Sequence, residues 1–169
     1  RSNFKNIWYI ILLMATETPK PHNNPTSAHD TSLEHERLTS LINSMADGVI
    51  AVDEHQTVAI YNGAALGILD VNSELSGRRV KDILVLIDKN NQKLDAEKLV
   101  KTTTTQLTTR DLLLQYANGE TINLYLSVAP VHLGYGVKGG RGHVILLRDI
   151  THEKSLEEER DEFISVVSH

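Results

Sequence analysis

The sequence contains no cysteine, which removes disulfides, thiolate metal sites and any cysteine nucleophile. It has no Asn-x-Ser/Thr sequon free of proline, so nothing marks it as a secreted scaffold. It also lacks a basic stripe. Seventeen Lys and Arg stand against twenty-two Asp and Glu, a formal net charge of −5, whereas phosphate backbones call for a concentrated positive field. Nucleic acid is thereby excluded as a main partner. No apolar run reaches the roughly 20 residues that cross a bilayer. The most apolar stretch, "IWYIILLMA" from Ile7 to Ala15, follows Arg1 and Lys5 and stops at Thr16, Glu17 and Pro19. It reads as a buried or interfacial segment, with membrane proximity as the alternative; its length and the preceding charges also fit a signal-peptide core, although the cleavage-site pattern is poor. No Ser/His/Asp constellation, pair of catalytic carboxylates or P-loop is defensible from spacing, so the chain does not read as an enzyme by itself.

What is present fits one globular domain with two extensions: 169 residues, 40% of them apolar. The chain starts at Arg1 rather than methionine, and both ends read as cuts through something longer. Residues 17–30, "ETPKPHNNPTSAHD", hold three of the four prolines and read as a linker. Next, "LEHERLTSLINSM" places Leu38, Leu41, Ile42 and Met45 at helical spacing opposite Glu34, Glu36 and Arg37, predicting an amphipathic helix over 32–46. The period then shortens. "GVIAVD" and "TVAIYN" are β-branched runs joined by Glu54-His55-Gln56, a hairpin, and Asn62 is placed to cap a short helix over "GAALGILD". Further helical pieces are expected at "VKDIL" and "DAEKLVKTT".

Three strands close the predicted domain. "LTTRDLLLQY" turns at Asn118-Gly119 into "TINLYLSVAPV", where Ile122, Leu124, Leu126 and Val128 alternate with Asn123, Tyr125 and Ser127. "HVILLRD", 143–149, is apolar on both faces, and the helix over 32–46 is a candidate cover for the outer one. From Asp149 the chain runs to His169 without Gly or Pro. It predicts one continuous helix capped by Asp149 or Thr151, with Glu153 in its first turn. Leu156, Phe163, Ile164, Val166 and Val167 form a thin apolar seam that suits a two-stranded coiled coil.

The order of elements, with "DGVIAVDEHQTVAIYNGAALGIL", "SGRRVKDIL", "ANGETINLYLSVAPV" and "GHVILLRDIT" in sequence, resembles a PAS domain over about residues 45–152. The resemblance implies an α+β fold: a five-stranded antiparallel sheet with short helices on one face, an N-terminal amphipathic helix and a C-terminal coiled-coil helix. It divides the chain into an N-terminal segment and linker over 1–31, a sensor domain with its flanking helix over 32–150, and a signalling helix over 151–169. The ending "DEFISVVSH" is similar to the start of the H-box of sensor histidine kinases, which implies that His169 is the phosphoacceptor. A neutral imidazole nitrogen is a good nucleophile near pH 7. Asp149 and Thr151 would form the joint that transmits the signal, and Leu38, Leu41, Ile42 and Met45 the dimer helix.

The apolar stripes of the helix over 32–46 and of the exit helix predict a homodimer, and the resemblance implies a position on the cytoplasmic side of an ATP-dependent histidine kinase, membrane-associated or not, partnered by a response regulator. ATP and Mg²⁺ would bind a kinase domain outside these residues, which are expected to be inactive alone. No cofactor is expected within them, and the ligand of the domain, if it has one, is not named by the sequence. Light-sensing flavin chemistry requires the missing cysteine. Haem commonly takes a helix histidine that "LDAEKLVKTTTT" lacks. His55, His132 and His143 read as surface histidines, and Arg78 and Arg79 as solvated charges after a glycine turn. "GYGVKG", Gly134 to Gly139, matches a dinucleotide motif in letters only, because a strand rather than a helix follows it. A ligand-binding receptor and a scaffold that only pairs two chains are the alternative functions.

Overall fold

The computed structural model describes residues 33, 36, 37, 40–133 and 140–168. The linker and the apolar stretch Ile7–Ala15, Leu38, the glycine-rich loop 134–139 and His169 lie outside the described residues.

Seven strands form one antiparallel sheet in the order β2-β1-β7-β6-β5-β3-β4. β1 is Gly48–Val52, β2 Val58–Tyr61, β3 Leu86–Ile87, β4 Lys93–Leu94, β5 Leu107–Gln115, β6 Thr121–Leu133 and β7 Gly140–Asp149. Helices α1 (Gly63–Leu69), α2 (Val80–Ile83) and α3 (Ala96–Thr102) separate β2 from β5, and α4 (Thr151–Val167) leaves the last strand. The five expected strands are all present. The two additional ones are two residues each, paired across a turn in which Asp88 Oδ1 accepts the N–H groups of Asn90 and Gln92. Asn91 takes the left-handed conformation there, at φ 62°. Strands this short carry no readable alternation, which is why periodicity missed them.

Every residue of β1 is buried, because the strand lies between β2 and β7 and both of its faces are covered. Ile50 and Val52 face α1–α3 and join Leu124, Leu126, Val128, Ile145 and Leu147 in the main core. Val49 and Ala51 face the other way, with Val131, Val144 and Leu146. The second cluster is closed by Ile42, with Met45 and Ile60 partly buried against it. The described residues of the N-terminal helix, 40–43 among them, thus cover the outer face of the sheet as the two-sided apolarity of β7 requires. α1 packs directly on β1: a Cβ at Gly48 would stand 3.0 Å from the Ala65 Cα.

Candidate functional site

The root of α4 is held by the backbone of β6. Ile150 donates its N–H to the Asn123 carbonyl at 2.9 Å, and Asn123 N–H donates to Thr151 Oγ1 at 3.0 Å. Asp149 Oδ1 accepts from Thr151 N–H at 2.9 Å and from its hydroxyl at 2.6 Å. Asp149 and Thr151 therefore come together, as neighbours in one network. The N-cap of α4 is Ile150, whose side chain makes no capping bond, so neither Asp149, one position before it, nor Thr151, the first helical residue, is the cap expected from the sequence. Ile150 itself is buried, which pins the joint from the apolar side as well.

One residue upstream, Arg148 grips Asp47 through two bonds of 2.7 Å each, Nε to Oδ1 and Nη2 to Oδ2. Its guanidinium carbon lies 5.4 Å from the centre of the Tyr125 ring, a cation–π contact. The hydrogen bond to Asp47 raises the Arg148 pKa further above its ordinary value. Asp47 also offers its backbone carbonyl to Asn62 Nδ2 at 2.9 Å, and the same amide donates to the Ile42 carbonyl at 3.0 Å. A continuous polar chain thus runs from the N-terminal helix through Asn62 and Asp47 to Arg148 on β7, two residues before Ile150. Asn62 was recognisable in the sequence only as a cap; Asp47 and Arg148, 101 residues apart, gave no local signal at all.

Past its root, α4 buries no side chain. Leu156, Phe163, Ile164, Val166 and Val167 are all exposed. Arg110 Nη2 of β5 meets Glu157 Oε1 at 2.9 Å, and Lys154 Nζ lies 3.8 Å from Asp111 Oδ1. The Arg110 hydrogen bond, with the same guanidinium's charge adding to it, holds the Glu157 carboxyl below its usual range. Of the dimer-helix residues, Leu41 is exposed, whereas Ile42 and Met45 pack on the chain's own sheet.

The remaining candidate ligands are dispersed. His55 and His132 are exposed, but His143 departs from the surface reading: it is half-buried, and its Nε2 lies 2.9 Å from the Thr103 carbonyl. Arg79 is paired, with bonds of 2.7 and 3.1 Å to Glu97. An open cleft of about 420 Å³ lies between the β1–β2 turn and α3, lined by Gln56, Lys98 and Lys101 beside that pair. Among the described residues no three His, Asp or Glu side chains gather as a metal site, and no helix is long and apolar enough to cross a membrane.

A seven-stranded antiparallel sheet with three short helices on its inner face and a helix leaving β7, one strand from the centre, is the arrangement on which the comparison with known proteins turns. The family model for the PAS domain matches residues 46–152. The chain belongs to the PAS domain family. The PAS match begins just before β1 and ends at the root of α4, so it takes in the whole sheet and the joint. The chain is 30% identical over 141 residues to the sensor protein kinase WalK of Staphylococcus haemolyticus, an alignment covering 83% of this chain and 21% of the kinase. It is 29% identical to a sensor protein kinase WalK of Staphylococcus aureus, of which it covers 31%. The chain thus spans between a fifth and a third of the length of these relatives. The PAS domain of an HTR-like protein from Haloarcula marismortui superposes with a TM-score of 0.55 at 17% identity, over 75% of this chain and all of that one. The PAS domain of a two-component sensor histidine kinase gives 0.50 at 15% identity, over 70% of this chain and 98% of its own. At these identities the two structures establish the fold.

Proposed function

We propose that the chain is the sensory and dimerisation module of a two-component sensor histidine kinase, which passes a signal from the PAS core through α4 to a phosphoacceptor at His169. The observation that carries the reading is the joint. Asp149, Ile150 and Thr151 fasten the start of α4 to both backbone groups of Asn123, so a change in the sheet is delivered to the helix without slack. The likeness to sensor protein kinases over 83% of the chain supports the same conclusion.

In this reading ATP and Mg²⁺ bind a kinase domain that follows α4, and the module works on the cytoplasmic side, where ATP is available. The His169 imidazole nitrogen attacks the γ-phosphorus, ADP leaves, and the resulting phosphoramidate passes its phosphoryl group to a response regulator. The PAS core is assigned no cofactor. The exposed apolar seam of α4 pairs with its copy in a homodimer.

The test is the double substitution Asp149→Ala with Thr151→Ala in the full-length kinase. The exposed hydrogen bonds lost contribute about 1 kcal/mol each, so the domain stays folded. The autophosphorylation rate is expected to change several-fold; an unchanged rate would refute the joint as the transmitting element.

A further inference from the structure

β5 carries one extra residue against β6. Thr109 stands opposite Leu126 and Leu112 opposite Leu124, so three steps on β5 match two on β6. Successive side chains of a regular strand point to opposite faces, and a bulge breaks that alternation. The two residues at the irregularity, Arg110 and Asp111, both reach the same helix. Arg110 meets Glu157 and Asp111 meets Lys154, and these partners lie three residues apart on one face of α4. The charges alternate along both elements. A positive then a negative group on the strand faces a negative and a positive group on the helix, so rotating α4 by one residue would part both pairs. No buried apolar side chain competes with them for control of the helix, because α4 has none.

We infer that the bulge residues Arg110 and Asp111 form an electrostatic latch that sets the rotation of α4 against the sheet. The latch rests on the proposed reading only in its use: in a kinase, its opening would be the regulated movement of the joint. Its strength suits a switch. Partly exposed pairs shift an equilibrium by about two- to five-fold each, leaving docked and released orientations both accessible. The register of the pairs, rather than their energy, supplies the specificity. Glu157, held below the ordinary carboxylate range by Arg110, keeps its charge throughout neutral pH.

The absence of cysteine makes the test direct, since introduced thiols are the sole labelling sites. Spin labels at Thr121→Cys on β6 and Glu162→Cys on α4, both exposed positions, report the helix orientation by pulsed dipolar spectroscopy in dimers diluted with unlabelled chain. Arg110→Glu and Glu157→Arg should each broaden or shift the distance distribution, and the double reversal R110E/E157R should restore it. Wild type in about 1 M salt, where the screening length falls to roughly 3 Å, should move as the single reversals do. A distribution indifferent to both single reversals, or a double reversal that does not restore it, overturns the latch. Phosphorylation of the full-length kinase, measured on the same variants, separates the two claims. Distances that respond while phosphorylation does not would leave the latch standing and count against the proposed function.

Discussion

At the scale of single residues, Asn62 is the most heavily committed side chain among the described residues. Its Oδ1 accepts from Val49 N–H at 2.9 Å and Ala65 N–H at 3.0 Å, while its Nδ2 donates to the carbonyls of Ile42 and Asp47. The residue is 1% exposed, so no solvent replaces a lost partner. Asn62→Ala would remove the side-chain partner of Val49 N–H and of the part-buried Asp47 carbonyl, whereas Ala65 N–H keeps the Asn62 carbonyl at 3.2 Å and the Ile42 carbonyl keeps Met45 N–H at 3.3 Å. At about 1–3 kcal/mol for each of the two groups that lose a partner, softened by relaxation, the expected loss is about 2–4 kcal/mol. Urea unfolding should show it as a lower midpoint with an unchanged slope. The cap was legible in the sequence because its partner Ala65 lies three residues on. The other three bonds were not, since 13, 15 and 20 residues of chain separate Asn62 from Val49, Asp47 and Ile42.

Between elements, Tyr116 joins the end of β5 to α1, donating its hydroxyl to the Ile68 carbonyl at 2.9 Å. Burial pushes its phenol pKa up, and the carboxylates of Asp149, Asp70 and Glu120 add to the effect. A pKa raised on folding gives stability that is complete below the unfolded value, about 10 for tyrosine, and is lost as pH rises through the folded one. Thermal melts should therefore decline above about pH 10, and Tyr116→Phe should remove that part of the decline while costing about 1 kcal/mol at neutral pH. An unchanged alkaline profile in the variant would contradict the assignment. The long elements were readable from pattern: the alternation of Ile122, Leu124, Leu126 and Val128 marks β6, and an unbroken run free of Gly and Pro marks α4. The β3–β4 pair was not, because its signal is one Asx turn at Asp88 rather than any period. The bulge at Arg110 was hidden for a related reason, since only the partner strand defines it.

Across the whole molecule, two helices leave apolar side chains uncovered. Leu33 and Leu41 are exposed on the N-terminal helix and Phe163, Ile164, Val166 and Val167 on α4, an arrangement that suits pairing with a second copy. Leu41→Glu should weaken self-association in light scattering without loss of fold, whereas Ile42→Glu should destabilise the domain itself, because Ile42 is 3% exposed in the outer-face cluster. A wild-type chain that stays monomeric at high micromolar concentration would contradict the dimer. The order of elements sufficed to place the chain in its family, but the Asp47–Arg148 pair that closes the domain across 101 residues needed the structure. The central claim, that the domain serves a phosphoacceptor at His169, is tested most directly by incubating the full-length kinase with ATP and Mg²⁺ and measuring acid-labile, base-stable phosphate in wild type and His169→Gln. The account predicts incorporation in wild type and none in the variant. Incorporation by His169→Gln at the wild-type rate would contradict it.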